Sequence, residues 1–239
     1  MDAASCRVVL VGPENPRNVG FAARAMLCFG AADLTIVGVP WKTPPAEARK
    51  TGVAAPDILD RARVVPTLAD ALRGCDAAVA FSRRPSVLRQ TGFVLPAAPP
   101  LTGRVALVFG RESNGLTREE SALCPYLARI PCREGVSLNL GQAVAVALFS
   151  LTSSPPAKRT GETRPPVSVD RMLSLWDFLE PRLTAAPRFT AARLQRIRQM
   201  LYGLRLDDEN FDLLFAVMSE LSLPAAARKA SRRSPEAPK

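Results

Sequence analysis

The stretch GPENPRNVGFAARAM, residues 12–26, decides how this chain is read. The run Arg7-Val8-Val9-Leu10-Val11 before it has the pattern of a buried strand, and an apolar-periodic segment ending near Phe29 has that of a helix. A turn between strand and helix is a common cradle for phosphate, because the first N–H groups of a helix have no partner within it. This turn carries neither the Lys-Ser/Thr pair of a P-loop nor a G-x-G-x-x-G fingerprint. It must hold something else, and Arg24 in the helix behind it needs a reason. At ~100° per residue Val19, Ala22, Ala23, Met26 and Leu27 share one broad face, with Arg24 outside it. An ordinary solvated arginine satisfies that wheel as well as a functional one.

Composition narrows the classes. The chain has 239 residues with 47% hydrophobic content, enough for one large domain and a small one. Its net charge of +10 favours a polyanionic partner, either nucleic acid or an anionic membrane surface. No apolar run approaches the roughly 20 residues of a membrane span, and Met1–Arg7 lacks a signal-peptide layout, so a cytoplasmic protein is expected. Cys6, Cys28, Cys75, Cys124 and Cys132 are odd in number and form no C-x-x-C pair. With no histidine, a metal site is not expected and reduced, mostly structural thiols are. The same absence removes the usual near-neutral general base and every Ser-His-Asp or Cys-His arrangement. Any catalysis must use Arg, Lys, carboxylates, hydroxyls or a cofactor with its own reactive group.

Short apolar runs alternate with helical patterns up to residue 151. Strands are expected at Val8–Val11, Leu34–Val37, Val64-Val65, Ala77–Phe81, Val105–Phe109 and Leu127–Ile130. Helices are expected at Val19–Phe29, in short turns across Ala46–Leu59, at Leu68–Leu72, over Arg118–Leu123 and at Leu140–Leu151. Thr117 and Glu120 are spaced as a capping box. Such alternation predicts an α/β fold: a mostly parallel sheet with helices on both faces. Residues 152–169 then read as a linker rich in Pro, Ser, Thr and basic residues. A helical extension is expected over 170–223, with helices near Asp170–Leu179, Thr190–Tyr202 and Asp207–Leu221, and a basic tail over 224–239. Basic residues in linker and tail, among them Lys158, Arg159, Arg228 and Arg232, are expected to add affinity for a polyanionic partner.

Two more segments stand out. ALVFGRESNGLTREE, residues 106–120, places Gly110 and Gly115 around a polar loop at the carboxyl end of a strand, where α/β sheets tend to bind ligands. IPCREGVSLNLGQAVAVALFSL, residues 130–151, sets Ser137 and Asn139 just before a helix unusually poor in charge. Turn and cap chemistry accounts for Glu112, Ser137 and Asn139 individually, and capping for Asn18. It does not account for so apolar a helix, which suggests burial against another subunit or inside a tight fold.

Together the three segments resemble the signature motifs of the SPOUT RNA methyltransferases, and more narrowly the branch that methylates the ribose of cytidine or uridine at position 32 of tRNA. The first motif has Asn18 followed six residues later by Arg24, the second is FGRESNGL, and the third is SLNLGQAVAV. The resemblance covers residues 7–151. It implies a deep C-terminal trefoil knot in that region, a homodimer with its site built between two subunits, and S-adenosylmethionine as cofactor. By motif match the cofactor is held largely by backbone groups of Gly110, Ile130, Ser137, Leu138 and Asn139, with Ser82 beside them. Arg24 is the family's catalytic arginine by position, either as a base that passes its proton to a substrate phosphate or as a group that orients that phosphate. Asn18, Glu112, Ser137 and Asn139 would shape the pocket and hold Arg24 or the ribose. The chain departs from the family at Phe81-Ser82-Arg83-Arg84, where a small Thr-Ser-Ala usually precedes the arginine. Two other readings share these residues: a methyltransferase for ribosomal RNA or another tRNA position, and an RNA-binding assembly factor with an inactive site.

Overall fold

The computed structural model describes residues 2–83, 91–98, 101–133, 135–153, 167–202, 204 and 206–222. Most of the linker and the basic tail therefore lie outside the described residues. Seven strands form one sheet: β1 (Cys6–Val11), β2 (Asp33–Val37), β3 (Arg63–Val65), β4 (Ala77–Phe81), β5 (Thr91–Val94), β6 (Val105–Phe109) and β7 (Tyr126–Arg129). Their order is β3-β2-β1-β6-β4-β7-β5, and every pairing is parallel. The central strands are buried on both faces, so they read as continuous apolar runs rather than alternating ones.

Alternation appears instead in which side each residue serves. Val8 and Leu10 enter one core with Val79, Leu107 and Phe109, while Val9 and Val11 enter the other with Ala78, Ala80 and Val108. The first core is covered by α1 (Pro16–Phe29), α2 (Ala46–Thr51), α3 (Pro56–Asp60) and α6 (Leu140–Ser153). The second is covered by α4 (Leu68–Leu72), α5 (Arg118–Ala122) and the start of α7 (Val169–Thr184). The expected helices and strands are present with ends shifted by a few residues, and the Thr117–Glu120 capping box is formed in both directions. The sequence reading has no strand at Thr91–Val94. That edge strand is four residues long, contains Gly92 and pairs only with β7, so it lacks the apolar run a central strand needs.

Glycine lets α1 lie close to two neighbours. A Cβ on Gly20 would stand 2.1 Å from the Ala48 carbonyl oxygen, and one on Gly141 would stand 2.5 Å from Cβ of Phe21. At the other end of the sheet, buried Arg7 donates to Asp33 and to the carbonyls of Ala71 and Arg73, which anchors the end of α4.

The C-terminal helices are α7, α8 (Ala191–Tyr202) and α9 (Asp208–Ser222). Val169 and Leu173 of α7 pack into the second sheet core, whereas Leu175, Trp176 and Leu179 pack with Leu201 and Phe211 in a core of their own. The amides of Val169 and Asp170 donate to the carbonyls of Asp76 and Cys75, and Arg73 pairs with Asp177. None of the five cysteines is in a disulfide, and Cys6, Cys75 and Cys124 are buried. Among the described residues, no helix is long and apolar enough to cross a membrane and no cluster of His, Cys, Asp or Glu is placed to hold a metal ion.

Gly141→Ala tests the close packing of α1 on α6. It should cost about 1–3 kcal/mol of stability, the usual penalty for a side chain forced into a filled space. Urea unfolding measures it, and an unchanged midpoint would show that the helices part without cost.

Candidate active site

Gly12 turns the chain at the end of β1 with φ +56°, Asn15 caps α1 by accepting from the Arg17 amide, and Pro16 occupies the first helical position. The amides of Glu14 and Asn15, ahead of the helix, point at a carboxylate. Glu14 N–H donates to Oε2 of Glu112 at 2.8 Å, and Asn15 N–H donates to Oε1 at 3.3 Å. The turn that opens the sequence reading thus holds an anion from the chain itself.

Asn18 extends this contact. It is 5% exposed, and its side chain donates to Glu112 Oε1 at 2.6 Å. Its own oxygen accepts from the Asn139 side chain at 2.7 Å. Asn139 Oδ1 accepts in turn from the Gly141 amide, and the Asn139 amide donates to Gln142 Oε1, so Asn139 also begins α6. Burial pushes the Glu112 carboxyl up, but donation from Asn18 and from the amides of Glu14 and Asn15 outweighs it, and the group sits below the ordinary glutamate value. Glu14 reciprocates, because its carboxylate accepts from the amide and hydroxyl of Ser113 at 3.1 and 2.5 Å. Arg111 makes two bonds to Glu120 and covers Gly12, where a Cβ would stand 2.9 Å from its Nε.

Beside this network lies a cleft of about 830 Å³ at the carboxyl ends of β4, β6 and β7. Its volume falls within the usual range for small-molecule sites. Phe81 and Phe109, both of its lining, stack with centroids 4.5 Å apart. Gly110 cannot be replaced by a larger residue without disruption, since its Cβ would lie 2.2 Å from the Gly115 carbonyl carbon. Ser82, Gly110, Glu112, Ile130, Ser137 and Leu138 all line the cleft. Three expected site residues do not: Asn18, whose buried side chain is taken up by Glu112 and Asn139, together with Asn139 and Arg24. Asn139 turns its side chain to Asn18 and Gly141 and is absent from the lining. Arg24 is exposed on α1 and outside the lining, and it forms no ion pair among the described residues. Six residues beyond Asn18 is about 9 Å along a helix and about 120° around it, so Arg24 faces away from the network.

Sequence reasoning missed Glu14, Ser113 and the arginines of the cleft. Glu14 and Ser113 meet only because β1 and β6 are neighbours, which no local pattern reveals. Arg83 was visible as a departure from the family segment. In the structure it donates to the Val136 carbonyl at 2.9 Å, within the loop that leads to Ser137.

Residues 5–149 match the SpoU rRNA methylase family. The chain belongs to that family. A tRNA (cytidine/uridine/adenosine-2'-O-)-methyltransferase of Pseudomonas aeruginosa is 40% identical over 153 residues, covering 61% of this chain and 59% of the relative. A tRNA (cytidine/uridine-2'-O-)-methyltransferase of Klebsiella pneumoniae is 30% identical over 235 residues, covering 90% and 95%. The crystal structure of TrmJ from Z. mobilis has a TM-score of 0.77 at 27% identity and covers 91% of this chain and 99% of that one. The SpoU family match ends near the end of α6, whereas the last two similarities extend across the C-terminal helices.

Glu112→Gln should destabilise the fold at neutral pH by about 1–3 kcal/mol, because an amide must now face three donors. The carboxyl titrates lower in the folded state, so its contribution is present above the ordinary glutamate value and is lost as pH falls through the lowered one. Urea midpoints of the two proteins should therefore converge as pH falls. A pH-independent difference would show that the carboxylate charge is not what the turn holds.

Proposed function

We propose that the protein transfers a methyl group from S-adenosylmethionine to the 2'-hydroxyl of a tRNA ribose, at cytidine or uridine 32 of the anticodon loop. The observation that carries this reading is the join of the three motif loops. Asn18 ties Glu112 to Asn139 at the edge of a cleft formed by the loops after β6 and β7. The tRNA activities named for the relatives support the choice of RNA. The reading includes the family's trefoil knot within residues 1–151, a helical extension over 170–223, and a cytoplasmic setting.

The residues present suit the cofactor. The cleft offers stacked aromatic rings, Ile130 and Leu138 for apolar groups, and loop backbone at Gly110 that no side chain obstructs. Ser82, Gly110, Ile130, Ser137 and Leu138 would hold it, while Asn139 acts through Asn18 instead. The cofactor supplies an activated methyl on a sulfonium, so the protein's work is mainly positioning. Glu112 is engaged by three donors and its pKa is lowered, which makes it a support for the site rather than a base. The hydroxyl proton then passes to solvent or to the RNA's own phosphate. A guanidinium stays charged in proteins. In our reading Arg24 orients that phosphate and stabilises the developing oxyanion.

In our reading Arg24 serves a cleft across a dimer contact. It lies on α1 in an exposed stripe with Phe21 at 45% and Leu27 at 49% exposure, and Phe149 of the neighbouring α6 is 57% exposed. This apolar surface suits a second copy in a two-fold pair. Each Arg24 would then serve the partner's cleft.

Arg24→Ala should keep the dimer and nearly all affinity for S-adenosylmethionine while methyl transfer falls about 10²–10³-fold, the usual loss for one preorganised charge stabiliser. Arg24→Lys should rescue little, since an ammonium lacks the planar fork. Single-turnover methylation of tRNA, calorimetric titration of the cofactor and sedimentation at micromolar protein check the three parts. Near-normal turnover in Arg24→Ala, or a monomer at that concentration, would contradict the reading. Mapping of 2'-O-methyl marks in RNA from cells with and without the protein tests the position.

A further inference from the structure

The cleft has an unbalanced charge. Arg83, Arg111, Arg129 and Arg133 all line it, with Glu112 as the carboxylate among its described lining residues. Two of these five charged groups are already engaged: Arg111 is paired with Glu120, and Glu112 is held by Asn18 and the turn amides. Arg83, Arg129 and Arg133 remain, all exposed and none in an ion pair among the described residues. Their backbones are fixed. The Arg129 carbonyl accepts from the Leu95 amide at the end of β5, and the Arg133 carbonyl accepts from the Val136 amide across a turn with Gly135 at φ +79°. Arg83 spends one donor on the Val136 carbonyl, and a guanidinium has five. Three cations fixed at one mouth repel one another, and a polyanion relieves that repulsion.

We infer that Arg83, Arg129 and Arg133 form a seat for RNA backbone phosphates at the mouth of the cofactor cleft, which positions the strand that carries the target ribose. The inference rests on the proposed RNA methyltransferase reading. The cofactor does not balance this rim, because its sulfonium and ammonium outweigh its single carboxylate, which could meet at most one of the three arginines. Arginine suits the task through bidentate contact with phosphate oxygens. Arg83 also stitches the end of β4 to the loop before Ser137, so the rim and the cofactor wall share one support.

The test uses the full-length protein and an unmodified tRNA transcript that the wild type binds. Binding is measured between about 50 and 200 mM salt, alongside calorimetric titration of S-adenosylmethionine. Arg129→Gln/Arg133→Gln should weaken RNA binding about tenfold or more at the lower salt. It should also flatten the log–log salt dependence by about 1.4, for two contacts to a single-stranded segment at ~0.7 each. Cofactor affinity should stay within about twofold. Arg129→Lys/Arg133→Lys should keep the salt slope, which separates lost charge from a damaged fold. Arg83→Gln should weaken both RNA and cofactor binding, since it loosens the shared loop. Unchanged RNA affinity and slope in the Gln pair would overturn the seat, as would loss of cofactor affinity with RNA binding intact. A wild type that shows the arginine-dependent slope but methylates no tRNA would overturn the functional reading and leave the seat standing.

Discussion

One buried amide joins the three parts of this site. Asn18 donates to Glu112, 94 residues away in sequence, and accepts from Asn139, 121 residues away. An amide can do both because it carries a donor and an acceptor on one rigid plane. At 5% exposure each end must find a partner, or a buried polar group is left unsatisfied. The loops after β1 and β6 and the start of α6 are therefore fixed to one another. The cleft between the β6 and β7 loops takes its shape from that join. The turn ahead of the helix, which in other α/β proteins can meet a phosphate, here uses the amides of Glu14 and Asn15 to hold a side chain of the same protein.

Much of the fold was legible in the sequence because parallel strands covered on both faces leave uninterrupted apolar runs. Val105–Phe109 and Ala77–Phe81 were found to the residue for that reason. Leu68–Leu72 was equally clear, between a Thr cap and a Gly turn. Thr91–Val94 was not, because an edge strand with a glycine carries little apolar signal. The lining of the cleft was legible as motif residues, and Ser82, Gly110, Ile130, Ser137 and Leu138 do lie together. The sequence did not reveal the ligand of the opening turn. That depends on β6 lying beside β1, a fact of sheet order rather than of local pattern. Asn139 matched a cofactor motif, yet its side chain serves α1 and α6.

The helical extension is tied to the sheet through α7, which contributes to two cores at once. Val169 and Leu173 face the sheet layer, and Trp176 and Leu179 face α8 and α9. Its docking on the α4 side leaves the opposite layer, with α1 and α6, clear of the C-terminal helices. That layer exposes Phe21 and Leu27 on the helix that carries Arg24, and Phe149 on the neighbouring α6. In the proposed dimer the same surface supplies both the contact and the catalytic cation, which explains why an arginine sits among exposed apolar residues.

In the proposed dimer each site combines the cleft of one copy with Arg24 of the other. Subunit mixing tests it most directly. Arg24→Ala is combined in equal amounts with a variant whose cleft is blocked, such as Leu138→Arg, after unfolding and refolding together to exchange subunits. Each variant alone should transfer almost no methyl groups to tRNA. In the mixed dimer, one site would receive both lesions and the other neither. With random pairing, half the dimers are mixed, so about a quarter of all sites should regain activity. A mixture no more active than its parents, with mixed dimers verified by mass, would contradict the account and return Arg24 to the surface of its own chain.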